Sequence, residues 1–116
     1  MGQNEISPES GSVPAVMVEY GTDVTVVTFK EDRIVDENQV RKIQEVLEPV
    51  VEKNGNKQLV FNFTQIKLIN SLLLNLLISV RQRVCELGGQ VQLRNLKPNI
   101  YTILEITQLT DIFNIS

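Results

Sequence analysis

The sequence contains no histidine and no tryptophan, and it has a single cysteine, Cys85. Without histidine the chain lacks the commonest general acid–base group and the commonest metal ligand. With one cysteine as well, the usual zinc sites are excluded. A lone cysteine closes no internal disulfide, so nothing marks a stapled secreted domain. Of the six glycines only Gly88-Gly89 are adjacent, and no GxGxxG or GxxxxGK(S/T) run cradles a phosphate. The net charge is −3, with lysine and arginine scattered between Lys30 and Lys97 and brought close together only as the pairs Arg41-Lys42 and Arg81/Arg83. A basic stripe with interleaved aromatics is missing, so direct nucleic-acid binding is not expected. The most apolar stretch, residues 72–80, is broken by Asn75 and Ser79 and falls far short of the ~20 residues of a membrane span. Residues 1–6 (MGQNEI) have neither a basic start nor an apolar run, and Ile6 stands where a myristoylated Gly2 would want serine or threonine. These absences lead to the expectation of a cytoplasmic, non-enzymatic protein without metal or cofactor.

What is present is ordinary globular composition, 42% hydrophobic and 22% charged over 116 residues, which suits one domain. Residues 1–15 are rich in Ser, Gly, Pro and Glu and lack an apolar pattern, so they are expected to be a disordered tail, with the domain spanning 16–116. Val16-Met17-Val18-Glu19-Tyr20 and Val24-Thr25-Val26-Val27-Thr28-Phe29 flank Gly21-Thr22-Asp23 and read as a hairpin. Residues 30–35 read as a polar connection.

Asp36 and Gln39 form a variant capping box. The helix it opens carries Val40, Ile43, Val46, Leu47, Val50 and Val51 on one face. Pro49 cannot donate to the carbonyl of Glu45, so a bend is expected there, and Gly55 supplies the stop. Leu59, Phe61 and Phe63 alternate along the next strand, and 64–69 reads as a linker.

A second helix over residues 71–87 stops at Gly88-Gly89. Leu72, Leu73, Leu74, Leu76, Leu77, Ile78 and Val80 nearly encircle its first half, the pattern of a helix covered on most sides. Val91 and Leu93 mark a strand with one wet face, and Pro98 suits the first turn of a third helix reaching Leu109. Residues 112–115 read as a last strand. The order is β-β-α-β-α-β-α-β, an α/β fold with a small mixed sheet and three main helices.

The run Leu59-Val60-Phe61-Asn62-Phe63, then Ile69-Asn70-Ser71-Leu72, a helix, Leu87-Gly88-Gly89, a strand and Asn95-Leu96-Lys97-Pro98 resembles the STAS family. That family comprises anti-sigma factor antagonists and cytoplasmic domains of sulphate transporters. Its last helix typically reads Leu-x-x-Thr-Gly-Leu-x-x-x-Phe. Leu104 to Phe113 matches at every position but the glycine, which is Gln108.

In the bacterial antagonists a kinase that is also the anti-sigma factor phosphorylates a serine in Asp-Ser-(Ser/Thr)-Gly-Leu-Gly. The matching run here is Asn70-Ser71-Leu72-Leu73-Leu74-Asn75, so the resemblance implies Ser71 as phosphoacceptor. It also implies Asn70, Leu72, Leu73, Leu74 and Asn75 as the partner-binding neighbourhood. The partner implied is an anti-sigma factor or serine kinase. Asp has become Asn70 and both glycines are replaced, by Leu73 and Asn75. Before the first helix, Asp32-Arg33-Ile34-Val35 replaces Gly-x-(Leu/Ile)-Asp.

Glycines near the acceptor let a kinase approach the backbone closely, and leucine does not. Ser71 is thus either an acceptor or a helix cap. The alternative function is a STAS subunit, never phosphorylated, in a larger regulatory assembly or a membrane transport machine. Two of Leu72, Leu73 and Leu74 are expected in the core and one at the surface, because adjacent helical residues diverge by ~100°. Cys85 is expected to pack in the core.

Overall fold

In the computed structural model, which describes residues 15–115, the strands grow from β-branched runs and the helices from capped amphipathic ones. The order is β1 (Val16–Tyr20), β2 (Val24–Phe29), β3 (Arg33–Ile34), α1 (Glu37–Asn54), β4 (Gln58–Asn62), β5 (Leu68–Ile69), α2 (Ser71–Glu86), β6 (Gln90–Arg94), α3 (Pro98–Ile106), a 3-10 turn (Leu109–Asp111) and β7 (Asn114–Ile115). The expected tail, apart from Ala15, lies outside the described residues.

The main sheet runs β1-β2-β4-β6-β7, with β1 antiparallel to β2 and every later pairing parallel. Each parallel step moves in the same direction, and right-handed crossovers then set all the helices on one face. On that face Val27, Phe29, Leu59, Phe61, Val91 and Leu93 join buried residues of α1, α2 and α3 in one continuous core. Phe29 stacks on Phe61 at 5.8 Å between centroids and meets Phe63 edge-on at 5.1 Å. The opposite face is mostly polar, except that Val60 is fully buried there, in register with Val26 and Gln92.

The local signals act as their chemistry dictates. Asp36 Oδ1 accepts from the Asn38 amide at 2.7 Å, and Gln39 Oε1 accepts from the Asp36 amide at 2.9 Å, completing the capping box. Gly55 ends α1 at φ 59° and ψ −124°, a positive φ that disfavours any side chain, although outside the left-handed helical well of the usual glycine stop. At Gly89 a Cβ would collide with the Lys57 carbonyl and come within 2.9 Å of Val84 Cγ1, so the backbone of α2's exit packs directly on the α1–β4 turn.

Four expectations need correction. Residues 30–35 and 64–69 are not merely connections: each contributes a two-residue strand, Arg33 pairing with Leu68 and Ile34 with Ile69. Val46, placed on the apolar face of α1, is 41% exposed, because the stripe that meets the sheet is narrower than the run of aliphatics. Cys85 is exposed and not in the core, since Val84 takes the inward position on that turn. The third helix stops at Ile106, and the last strand begins only at Asn114, with Phe113 turned into the core.

Candidate functional site

The two-stranded β3–β5 ladder delivers the chain to the start of α2. Ile34 and Ile69 pair in register and both are buried, so the residue after Ile69 is anchored from within. That residue is Asn70, extended at φ −114° and ψ 174°, whose Oδ1 accepts from the Leu73 amide at 3.0 Å. Asn70 is therefore the N-cap. Ser71 is the first helical residue, exposed, and its hydroxyl makes no hydrogen bond among the described residues. The capping role weighed for Ser71 belongs to its neighbour.

Leu72, Leu73 and Leu74 separate as helical geometry requires. Leu73 is fully buried and Leu74 is 6% exposed, whereas Leu72 is 40% exposed beside Ser71. Leu73 and Leu74 are accordingly withdrawn from the expected partner surface: both belong to the core cluster that α2 shares with the sheet. Asn75 is exposed one turn on. The surface that remains is Asn70, Ser71, Leu72 and Asn75.

Leu72 and Asn75 also line a shallow groove of about 300 Å³ between α1 and α2, with Val40, Gln44, Leu76 and Ser79. A second hollow, of about 290 Å³, shares Gln44, Leu76 and Ser79 with the first and continues over Leu47, Val51 and Val80 to Arg83. The α1 side of this groove was not foreseen. The aliphatic stripe of α1 was legible, but which of its edges faces α2 follows from the packing angle alone.

The far end of the groove is clamped by Arg83. Its Nε donates to Glu52 Oε2 at 2.8 Å, one terminal nitrogen to Glu52 Oε1 at 2.9 Å, and the other to Glu86 at 3.2 Å. The guanidinium holds the Glu52 carboxyl below its ordinary range, and the two carboxylates raise the already high value of Arg83. Arg81 donates through Nε to the Ile112 carbonyl at 2.9 Å. Both arginines thus have intramolecular partners. Among the described residues no group of three or more Cys, Asp or Glu could hold a metal ion. No described helix is long and apolar enough to cross a membrane.

A family model described as STAS domain matches residues 15–116. No curated protein matches the chain. Among solved structures, an anti-sigma-factor antagonist (STAS) domain protein from Planctomyces limnophilus superposes with a TM-score of 0.81 at 18% identity, covering 90% of this chain and 91% of that one. The anti-sigma factor antagonist SpoIIAA in its unphosphorylated form matches with a TM-score of 0.67 at 16% identity, over 88% and 87% of the two chains. The Bacillus protein of that name in its phosphorylated form matches with the same TM-score at 14% identity, over 88% and 91%. RsbS from Moorella thermoacetica gives 0.71 at 19% identity, over 87% and 85%. At such identities these likenesses establish the fold.

Proposed function

The chain belongs to the STAS domain family, and from that premise we propose that it is a cytoplasmic, non-catalytic regulator that works as an anti-sigma factor antagonist does. It binds an anti-sigma factor or serine kinase through the start of α2, and phosphorylation of Ser71 releases it. The observation that carries this reading is the division of labour at the helix start. Asn70 caps α2, which leaves the Ser71 hydroxyl exposed and without a hydrogen bond among the described residues, next to a half-exposed leucine. A phosphoryl group there adds about −1.5 to −2 charges at neutral pH. The positive end of the helix accommodates that charge, so modification spares the fold and acts on the partner contact.

The second reading, a constitutive STAS subunit, draws on the buried Leu73. Its side chain fills core space where the antagonists' motif has glycine, and the helix start is correspondingly bulkier for an approaching kinase.

Substitutions separate the roles. Ser71→Ala is expected to fold within a few tenths of a kcal/mol of wild type and to keep partner binding, whereas Asn70→Ala loses ~0.5–2 kcal/mol of cap. Ser71→Asp is expected to fold normally and bind the partner more weakly, by burial of an unpaired charge. Binding assays on the purified partner, with phosphate mapping of protein from its native cell, make the comparison. Wild-type affinity in Ser71→Asp, together with no phosphate on Ser71, would transfer support to the constitutive subunit.

A further inference from the structure

β1 is an edge of the main sheet, and its pairing with β2 fixes where its backbone groups point. At one end the Ala15 carbonyl accepts from the Lys30 amide at 3.0 Å, and at the other the Gly21 amide donates to the Val24 carbonyl at 2.7 Å. The register between them is unbroken, so hydrogen-bonded pairs fall on every second residue, at Ala15, Met17, Glu19 and Gly21. The amides and carbonyls of Val16, Val18 and Tyr20 therefore face away from β2, and no hydrogen bond reaches them among the described residues. Sheet edges are ordinarily blunted by proline, lysine, a bulge or a very short strand. β1 has none of these over its five residues, and its one charge is Glu19, whereas the opposite edge, β7, is two residues long.

Exposed apolar groups adjoin this edge. Met17 and Tyr20 are each nearly half exposed, and Lys53 of α1 lies over the Tyr20 ring at 4.1 Å. Val46 stands two turns before Lys53 on the same stripe of α1. Its exposed side chain thus falls on the β1 flank of α1, away from the groove that Gln44, Leu47 and Val51 share with α2.

We propose that β1 is the seam of a homodimer, pairing antiparallel with β1 of a second copy about a twofold axis through Val18. Such a ladder exchanges bonds between Val18 and its own counterpart, and between Val16 of each copy and Tyr20 of the other. Every outward amide and carbonyl of both strands is then satisfied. Glu19 stands opposite Met17 of the second copy and not opposite itself, so like charges are kept apart. The twofold also lays the two α1 helices side by side over the seam, where Val46 is covered. The chain supplies no better mate. In residues 1–14 the only β-branched residues are Ile6 and Val13, and Pro8 and Pro14 offer no donor. Because α2 packs on the other flank of α1, both Ser71 surfaces stay open and the dimer presents two of them.

The seam is independent of the partner reading and is tested on the purified full chain. Sedimentation equilibrium is expected to give twice the monomer mass as concentration rises, with the Val16, Val18 and Tyr20 amides exchanging more slowly as the dimer fills. Val18→Pro removes an outward donor and leaves the β1–β2 ladder whole, and Val46→Glu puts a charge on the α1 flank. Each is expected to raise the dissociation constant by about tenfold or more. Ile106→Glu, at the exposed end of α3, is expected to change it by less than about twofold. Val46→Glu, at a position already exposed, decides the matter if Val18→Pro does not fold. A monomer at millimolar concentration, a dimer unaffected by both variants, or a dimer whose three outward amides exchange as in the monomer would overturn the proposal.

Discussion

Gln108 sits at φ 61° and ψ 26°, in the left-handed helical region, immediately before the 3-10 turn. The STAS pattern has glycine at this position, and the backbone shows why: a residue with a Cβ pays about 1–2 kcal/mol to stay there. Asn95 shares the conformation at φ 61° but belongs to a type that tolerates it. Gln108→Gly is therefore expected to stabilise the domain by up to about 1 kcal/mol, the relief of strain being partly offset by a freer unfolded chain. Urea unfolding midpoints of the two proteins check this. A loss of stability would mean that the Gln108 side chain makes a compensating contact. The same residue-level logic sorts Asn70 from Ser71. One side chain saturates a helix amide, and its neighbour's hydroxyl is exposed and unbonded among the described residues.

Between elements, α1 and α2 meet along an apolar seam, with the Arg83–Glu52 pair bridging them at its end. Both side chains are about half exposed, so the pair is screened and its contribution is small. Its pH dependence nevertheless has a definite sign. Glu52 is lowered chiefly by the hydrogen bond from Arg83, with their charge attraction adding to it. A carboxylate depressed in the folded state contributes stability above its unfolded value, ~4.3, and loses it as pH falls through the folded one. Wild type is expected to exceed Glu52→Gln in stability at pH ~6, and the gap to close as the pH drops below about 4. High salt should narrow the gap at pH ~6. A gap independent of both pH and salt would assign the effect to packing of the glutamate stem.

Across the described residues, strands and helices share one core, with Phe29 stacked on Phe61 and edge-on to Phe63, all three fully or almost fully buried. No helix has a core of its own, so the domain is expected to unfold as one unit. Phe61→Ala should cost about 3–5 kcal/mol, a large share of the 5–15 kcal/mol typical of a domain. The tyrosines report on distant parts, Tyr20 in β1 and Tyr101 in α3. Tyrosine fluorescence and circular dichroism of the variant should therefore show coincident, earlier transitions. Separate transitions would mean that α3 and the last strand form a subunit of stability distinct from the hairpin.

The amino-acid order by itself determined what depends on neighbours within a few residues. The β-branched hairpin, the Asp36–Gln39 capping box, the Gly88-Gly89 stop, Pro98 in the first turn of α3 and the placing of Ser71 at a helix start all belong to this class. Tertiary structure alone decided whatever depends on partners distant along the chain. The β3–β5 ladder joins residues that look like two polar loops, because a two-residue strand has no periodicity to read. Val46 and Cys85 are exposed, and Leu72 parts from Leu73 and Leu74, because a helix's own pattern defines its stripe but not the width of what covers it. The lysines that meet at the strand ends, Lys30, Lys67 and Lys97, come from segments thirty or more residues apart, brought together by parallel pairing over helical crossovers.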